Sequence, residues 1–125
     1  MRPSNAMLLA VTVSLFTTLT PAYALADSYG ALAYSPSTGA SGWSHSYSTR
    51  SAAESSALRG CQPYARDCRV AIWFVNACGA IATGPDGWGS GWGDTRARAE
   101  YEAMQVCKRY SQGCEILRWQ CSGAR

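Results

Sequence analysis

The stretch Tyr29–Trp43, YGALAYSPSTGASGW, decides the reading of this chain, because Cys78–Trp92, CGAIATGPDGWGSGW, writes it a second time. Gly30, Ala31, Ala33, Pro36, Ser41, Gly42 and Trp43 recur as Gly79, Ala80, Ala82, Pro85, Ser90, Gly91 and Trp92, at a constant offset of 49. Further on the offset becomes 46. Arg50, Ala53, Glu54, Ala57, Cys61, Tyr64, Cys68 and Trp73 recur as Arg96, Ala99, Glu100, Ala103, Cys107, Tyr110, Cys114 and Trp119. Agreement at two fixed offsets marks an internal duplication. Repeat one covers residues 29–76 and repeat two 77–122, with three extra residues in repeat one between Trp43 and Arg50.

Each copy reads as strand, turn, strand, helix, strand. Gly30–Tyr34 is short and apolar and runs into Pro36 and Gly39, as a buried strand entering a turn does. Ser41–Tyr47 alternates small or polar residues with aromatics. Ser48 or Thr49 is placed to cap a helix with Ala53, Ala57 and Cys61 on one face, and Asp94 or Thr95 to cap its twin, with Ala99, Ala103, Val106 and Cys107 inward. The closing strands are Arg69–Val75 and Glu115–Gln120, rich in β-branched and aromatic residues. The fold class is therefore α+β, a small disulfide-stapled domain of two pseudo-symmetric strand-strand-helix-strand repeats. Either one continuous sheet or two sheets satisfies this pattern.

Residues 1–26 have the form of a secretory signal peptide. Arg2 supplies the positive start, Met7–Leu19 is uncharged and apolar, and the small-residue sites Ala22-Tyr23-Ala24 and Ala24-Leu25-Ala26 follow. The apolar run is shorter than the roughly 20 residues of a spanning helix, so no membrane span is expected after cleavage. Cleavage after Ala26 leaves one exported domain, residues 27–125, periplasmic or extracellular. It retains all six cysteines.

An even cysteine count in an exported domain of this size points to disulfides. Cys61 and Cys68, and Cys107 and Cys114, are the same element in the two copies, each joining a helix end to the next strand. The counterparts of Cys78 and Cys121 in repeat one are Tyr29 and Val75, so repeat one lacks both cysteines together and the two are expected to pair with each other. Zinc is not expected, since no CxxC pair occurs and His45 is the lone histidine. With a net charge of +3, 15% charged residues and no extended basic run, nucleic acid is not an expected partner.

The segments YGALAYSPSTG, SGWS, WFVNACGAIATGPDG and SGWG, with the two C-x6-C spacings, resemble the exported bacterial family called domain of unknown function 4189. The resemblance covers residues 29 to 122. It implies an exported bacterial protein with a small α+β domain, and it transfers no reaction, cofactor or catalytic residue.

Function must then be read from side chains. Aromatics present in both copies, Trp43/Trp92 and Trp73/Trp119, are expected in the core. Arg50/Glu54 and Arg96/Glu100 are expected as exposed i, i+4 pairs. Residues that differ between the copies are the candidate contacts: Trp88 on the second hairpin tip, His45 and Tyr47 beside the three-residue expansion, and Arg66 in the first stapled loop. Trp88 has the competing reading of folding back on its own sheet, and Arg66 that of a solvated charge beside Asp67. Ser44 and Ser46 flank His45, but strand neighbours point to opposite faces, which argues against a nucleophile–imidazole pair. No phosphate loop or calcium ladder is present. The chain reads as a non-catalytic binding module without cofactor that recognises a protein partner in an inhibitor, immunity or effector role. The alternatives are a cell-envelope polysaccharide binder and, behind it, a small hydrolase.

Overall fold

The computed structural model describes residues 3–4, 9–18 and 26–123. Arg2 and the Ala22-Tyr23-Ala24 site of the expected leader lie outside the described residues. Among those described, no helix is long and apolar enough to cross a membrane.

The duplication is visible as two copies of one unit. In the first, β1 (Tyr29–Tyr34) is flanked by β2 (Ser41–Tyr47) and β3 (Arg69–Val75), with α1 (Arg50–Cys61) and a 3-10 turn (Gln62–Tyr64) between β2 and β3. In the second, β4 (Ala77–Gly84) is flanked by β5 (Gly87–Gly93) and β6 (Glu115–Ser122), with α2 (Arg96–Cys107) between them. All strand pairs are antiparallel. There are thus two three-stranded sheets, not one continuous sheet. Asn76 links them as a single residue at φ 50°, a left-handed conformation that asparagine tolerates. Thr49 and Thr95 are the caps, each hydroxyl accepting a 3.2 Å bond from a first-turn amide, that of Ala52 or Arg98.

The sheets pack face to face with one helix on each outer side. Strand alternation sorts the side chains accordingly. On the helix side of the first sheet, Ala31 and Ala33 meet Ala53, Ala57 and Cys61; in the second, Cys78, Ala80 and Ala82 meet Ala99, Ala103 and Cys107. Between the sheets lie the larger residues Leu32, Tyr34, Phe74 and Ile81, together with Ala77. Central strands covered on both faces explain why β1 and β4 read as uninterrupted small and apolar runs.

Alanine on both partners brings each helix very close to its sheet. A Cβ on Gly42 would stand 2.0 Å from the Ala57 carbonyl oxygen, and one on Gly91 would stand 2.4 Å from the Ala103 nitrogen. Phe74 uses glycine differently: its ring fills the inter-sheet space where Cβ atoms on Gly30 and Gly79 would stand. The repeat partner of Phe74 is Gln120, so one phenyl ring serves both glycines.

The disulfides are Cys61–Cys68, Cys107–Cys114 and Cys78–Cys121. Cys78 faces Cys121 across the β4–β6 ladder, so the third bridge ties the first and last strands of repeat two. The three bridges point to an oxidising compartment.

The tryptophans contradict the sequence expectation. Trp43, Trp92, Trp73 and Trp119 retain 48%, 58%, 36% and 39% of their surface in solvent. The alanine-and-glycine seam under each helix leaves no volume for an indole. In β2 and β5 the glycines take the helix side and send Trp43 and Trp92 to the opposite face, at the outer rim of the sheet pair. On the outer strands β3 and β6, Trp73 and Trp119 lie opposite Ala31 and Ala80, covered by arginines instead of apolar side chains. Val106, expected inward, is only half buried.

Candidate binding grooves

The repeat generates a surface groove at each rim of the sheet pair. The first is lined by Ser41 and Trp43 of β2, Ser56 and Gly60 of α1, and Arg118 of β6, together with Tyr64 and Leu117; its volume is about 930 Å³. The second has the corresponding residues Ser90, Trp92, Glu102, Val106 and Ile72, and its volume is about 460 Å³. These are the same five positions under the offsets of 49 and 46. Two small residues on α1 have become Glu102 and Val106 on α2, and larger side chains fill the second groove.

The decisive difference is Arg118, which stands where repeat one carries Ile72. Its Nε donates to Ser41 Oγ at 3.2 Å and its Cζ lies 4.1 Å from the centre of the Trp43 ring. Three other arginines also lie over aromatic rings. Arg50 covers Trp73 and pairs with Glu54, Arg96 covers Trp119 and pairs with Glu100, and Arg98 covers Tyr101 and pairs with Glu102. The first two pairs confirm the expected i, i+4 contacts. Among the described residues, Arg118 alone of these four has no carboxylate partner. Its guanidinium is held by a ring and a hydroxyl while the terminal nitrogens remain available. Tyr64, 75% exposed on the 3-10 turn, adds a second aromatic.

None of the sequence candidates lines either groove. Trp88 is not a free hairpin tip and does not fold back only on its own sheet. It lies in β5 opposite Thr83, half buried, with its ring 5.0 Å from that of Tyr34 in the other sheet. The Tyr47 ring packs on the α1 core and its hydroxyl donates to Ser56 Oγ at 2.9 Å. Arg66 is exposed in the stapled loop and enters no ion pair among the described residues.

His45 is exposed, and strict strand alternation, which would send Ser46 to the opposite face, breaks down there. Part of the three-residue expansion forms a bulge in β2, where Ser44 to Tyr47 oppose Ala31 to Tyr29 of β1 and Ser46 stands at φ 63°. This turns Ser46 Oγ to 2.8 Å from His45 Nδ1. Among the described residues no carboxylate bonds to the ring, so the third, orienting member of a triad is missing from the arrangement. Ser44 is buried and occupied structurally: its hydroxyl donates to the Ala53 carbonyl at 2.6 Å and accepts from the Ala31 amide at 3.1 Å.

Asp67 has a structural role. Its carboxylate accepts from the Ser35 hydroxyl, from the Ser37 hydroxyl at 2.8 Å and from the Ser37 amide at 3.1 Å. The Ser35 bond, then that of Ser37, holds its carboxyl below the usual carboxylate range. Burial, and secondarily the Asp67 charge, push the Tyr34 hydroxyl above its ordinary value.

With the two repeats and their disulfides in place, the family model called Domain of unknown function (DUF4189) matches residues 29–121. The chain belongs to the DUF4189 family. Protein Rv1269c of Mycobacterium tuberculosis and protein Mb1300c of Mycobacterium bovis are each 46% identical to it over 70 residues, which is 56% of this chain and 53% of the relative. The chain thus spans about half the length of the curated relatives it matches. This DUF4189 domain is also similar to the NMR structure of Rv1813c from Mycobacterium tuberculosis. The two are 32% identical, the match covers 97% of this chain and 96% of that one, and the TM-score is 0.56.

Signals for the grooves were present in the sequence. Gly60/Val106, Ser56/Glu102 and Arg118/Ile72 all differ between the copies, the same criterion that singled out Trp88 and Arg66. Their convergence on one rim depends on which outer strand faces which, and that follows only from the stacking of the two sheets.

Proposed function

We propose that this DUF4189 domain is an exported, non-catalytic binding module that recognises a protein partner through the groove of Trp43, Tyr64 and Arg118. The observation that carries the reading is the half-exposed Trp43 beneath an arginine that has no carboxylate partner among the described residues, on a frame closed by three disulfides. Tryptophan, tyrosine and arginine dominate the energetics of protein interfaces. A pre-organised frame also lowers the ordering cost of association. The leader-like residues 1–26 and the disulfides support export. Inhibitor, immunity and effector roles would all use such a surface.

Polysaccharide recognition is the second reading, supported by Trp43 and Tyr64 beside the hydroxyls of Thr38, Ser41 and Ser56. The two readings separate in one experiment. The oxidised protein and its Trp43→Ala/Tyr64→Ala variant are used to capture ligands from envelope and host-cell extracts. Tryptophan fluorescence is titrated in parallel with peptidoglycan fragments and chitooligosaccharides. Loss of a captured protein in the variant, with no glycan response, is the expected result. Equal capture by both proteins refutes the groove as the binding face, and a saturable glycan response abolished in the variant replaces the protein reading with the polysaccharide one.

A further inference from the structure

Building on that binding reading, we infer that the first groove takes an acidic side chain of the partner protein, with Arg118 gripping the carboxylate and Trp43 and Tyr64 receiving an adjacent apolar residue. The first support is charge. Among the described residues, the groove lining contains Arg118 and no Asp or Glu, whereas the second groove contains Asp94, Glu102 and Arg98, with the last two paired to each other. The second support is posture. The bond from Nε to Ser41 and the contact over the Trp43 ring hold the guanidinium at two points, and a held planar fork is suited to bidentate carboxylate binding. The third support is the internal control supplied by duplication. The corresponding position in the second groove is Ile72, and that groove is half the volume.

Other anions fit less well. A free phosphate or sulfate ion, or a phosphate monoester, carries more charge than one arginine balances, and among the described residues no second cation lines the groove. Neutral sugars present vicinal hydroxyls that donate as well as accept, and among the described lining residues only the hydroxyls of Thr38, Ser41 and Ser56, and no carboxylate or amide side chain, can receive them. A partner loop carrying Asp or Glu beside an aromatic or aliphatic residue matches both the arginine and the apolar walls formed by Trp43, Tyr64 and Leu117.

The test uses the oxidised protein, isotope-labelled, with the peptide Ac-Gly-Glu-Phe-Glu-Gly-amide at millimolar concentration and its glutamine counterpart as the neutral control. The acidic peptide is expected to shift the Trp43 indole and Arg118 Nε–H resonances and leave the Trp92 indole in place. The glutamine peptide is expected to bind at least about tenfold more weakly, the scale of losing a charge-assisted hydrogen-bonded pair. Arg118→Ile, which reproduces the second groove, should remove the difference between the peptides without changing Tm. The inference is overturned if both peptides shift Trp43 equally, if neither does, or if Trp92 responds as strongly. It is also overturned if inorganic phosphate or a sulfated oligosaccharide shifts the same resonances at lower concentration than the acidic peptide. The wild-type comparison of the two peptides stands even if the variant folds poorly. Should Arg118→Ile capture the protein partner as well as wild type while Trp43→Ala/Tyr64→Ala does not, the binding-module reading survives and the acidic assignment falls.

Discussion

Replacing Gly42 or Gly91 by alanine adds one methyl group to each chain and tests how closely the helices sit on their sheets. At Gly42 the new Cβ would lie 2.0 Å from the Ala57 carbonyl oxygen and 2.7 Å from the Cys61 nitrogen; at Gly91 it would lie 2.4 Å from the Ala103 nitrogen. Ordinary contact begins at 3.4 Å, and the opposing atoms are helix backbone that no rotamer change can move. The helix must therefore lift by roughly an ångström, parting Ala53 and Ala57 from β1, or Ala99 and Ala103 from β4. Overpacking of this kind costs ~1–3 kcal/mol and sometimes more. For a domain of this size each kcal/mol corresponds to roughly 4–8 °C in Tm. Gly39→Ala is the control, since nothing lies within 4 Å of its Cβ and only the positive φ of 78° opposes the change. Thermal unfolding of the oxidised variants followed by circular dichroism measures the difference. Gly42→Ala and Gly91→Ala should each lose more stability than Gly39→Ala. If either packing variant matches wild type within about 0.5 kcal/mol, the size of an ordinary surface substitution, the close helix–sheet contact is wrong.

Phe74→Ala should be the most destabilising of the single substitutions considered. It empties the inter-sheet space against Gly30 and Gly79, at a cost of about 3–5 kcal/mol, measurable by urea unfolding. Removing the Cys78–Cys121 bridge with a double alanine variant should cost more than removing Cys61–Cys68, ~4 against ~2.5 kcal/mol on loop entropy, because the closed segment is longer. Asp67 should confer stability that depends on pH. Its folded pKa is depressed, so its contribution is present above the unfolded value and is lost as pH falls through the folded one. The Tm difference between wild type and Asp67→Asn should therefore be widest near neutrality and close as the solution is acidified below the unfolded carboxylate pKa of about 4; a difference that is constant with pH would remove Asp67 from that role.

Internal repetition made the architecture legible before any coordinates. Offsets of 49 and 46 assign each strand and helix a twin, and the joint absence of Cys78 and Cys121 counterparts in repeat one pairs them. Tryptophan placement was not legible by the same route. Recurrence marked Trp43, Trp92, Trp73 and Trp119 as scaffold, but an alanine–glycine seam has no space for indoles, and duplication here repeated a surface. His45 and Ser46 meet because a bulge breaks the strand period, an irregularity that the three-residue expansion signals without fixing its geometry. Groove one draws Trp43 and Ser41 from β2, Ser56 and Gly60 from α1, and Arg118 from the other copy's last strand. Only the stacking of one sheet on the other brings Arg118 to Trp43, 75 positions away in the sequence.

The central claim is that one of two homologous grooves binds the partner. Trp43→Ala and Trp92→Ala remove the same side chain from corresponding positions and provide the most direct test when measured side by side for partner binding. Trp43→Ala should weaken binding by ~2 kcal/mol or more, the scale of an interface hot spot, whereas Trp92→Ala should bind like wild type. Equal losses in the two variants, or a loss confined to Trp92→Ala, would contradict the assignment.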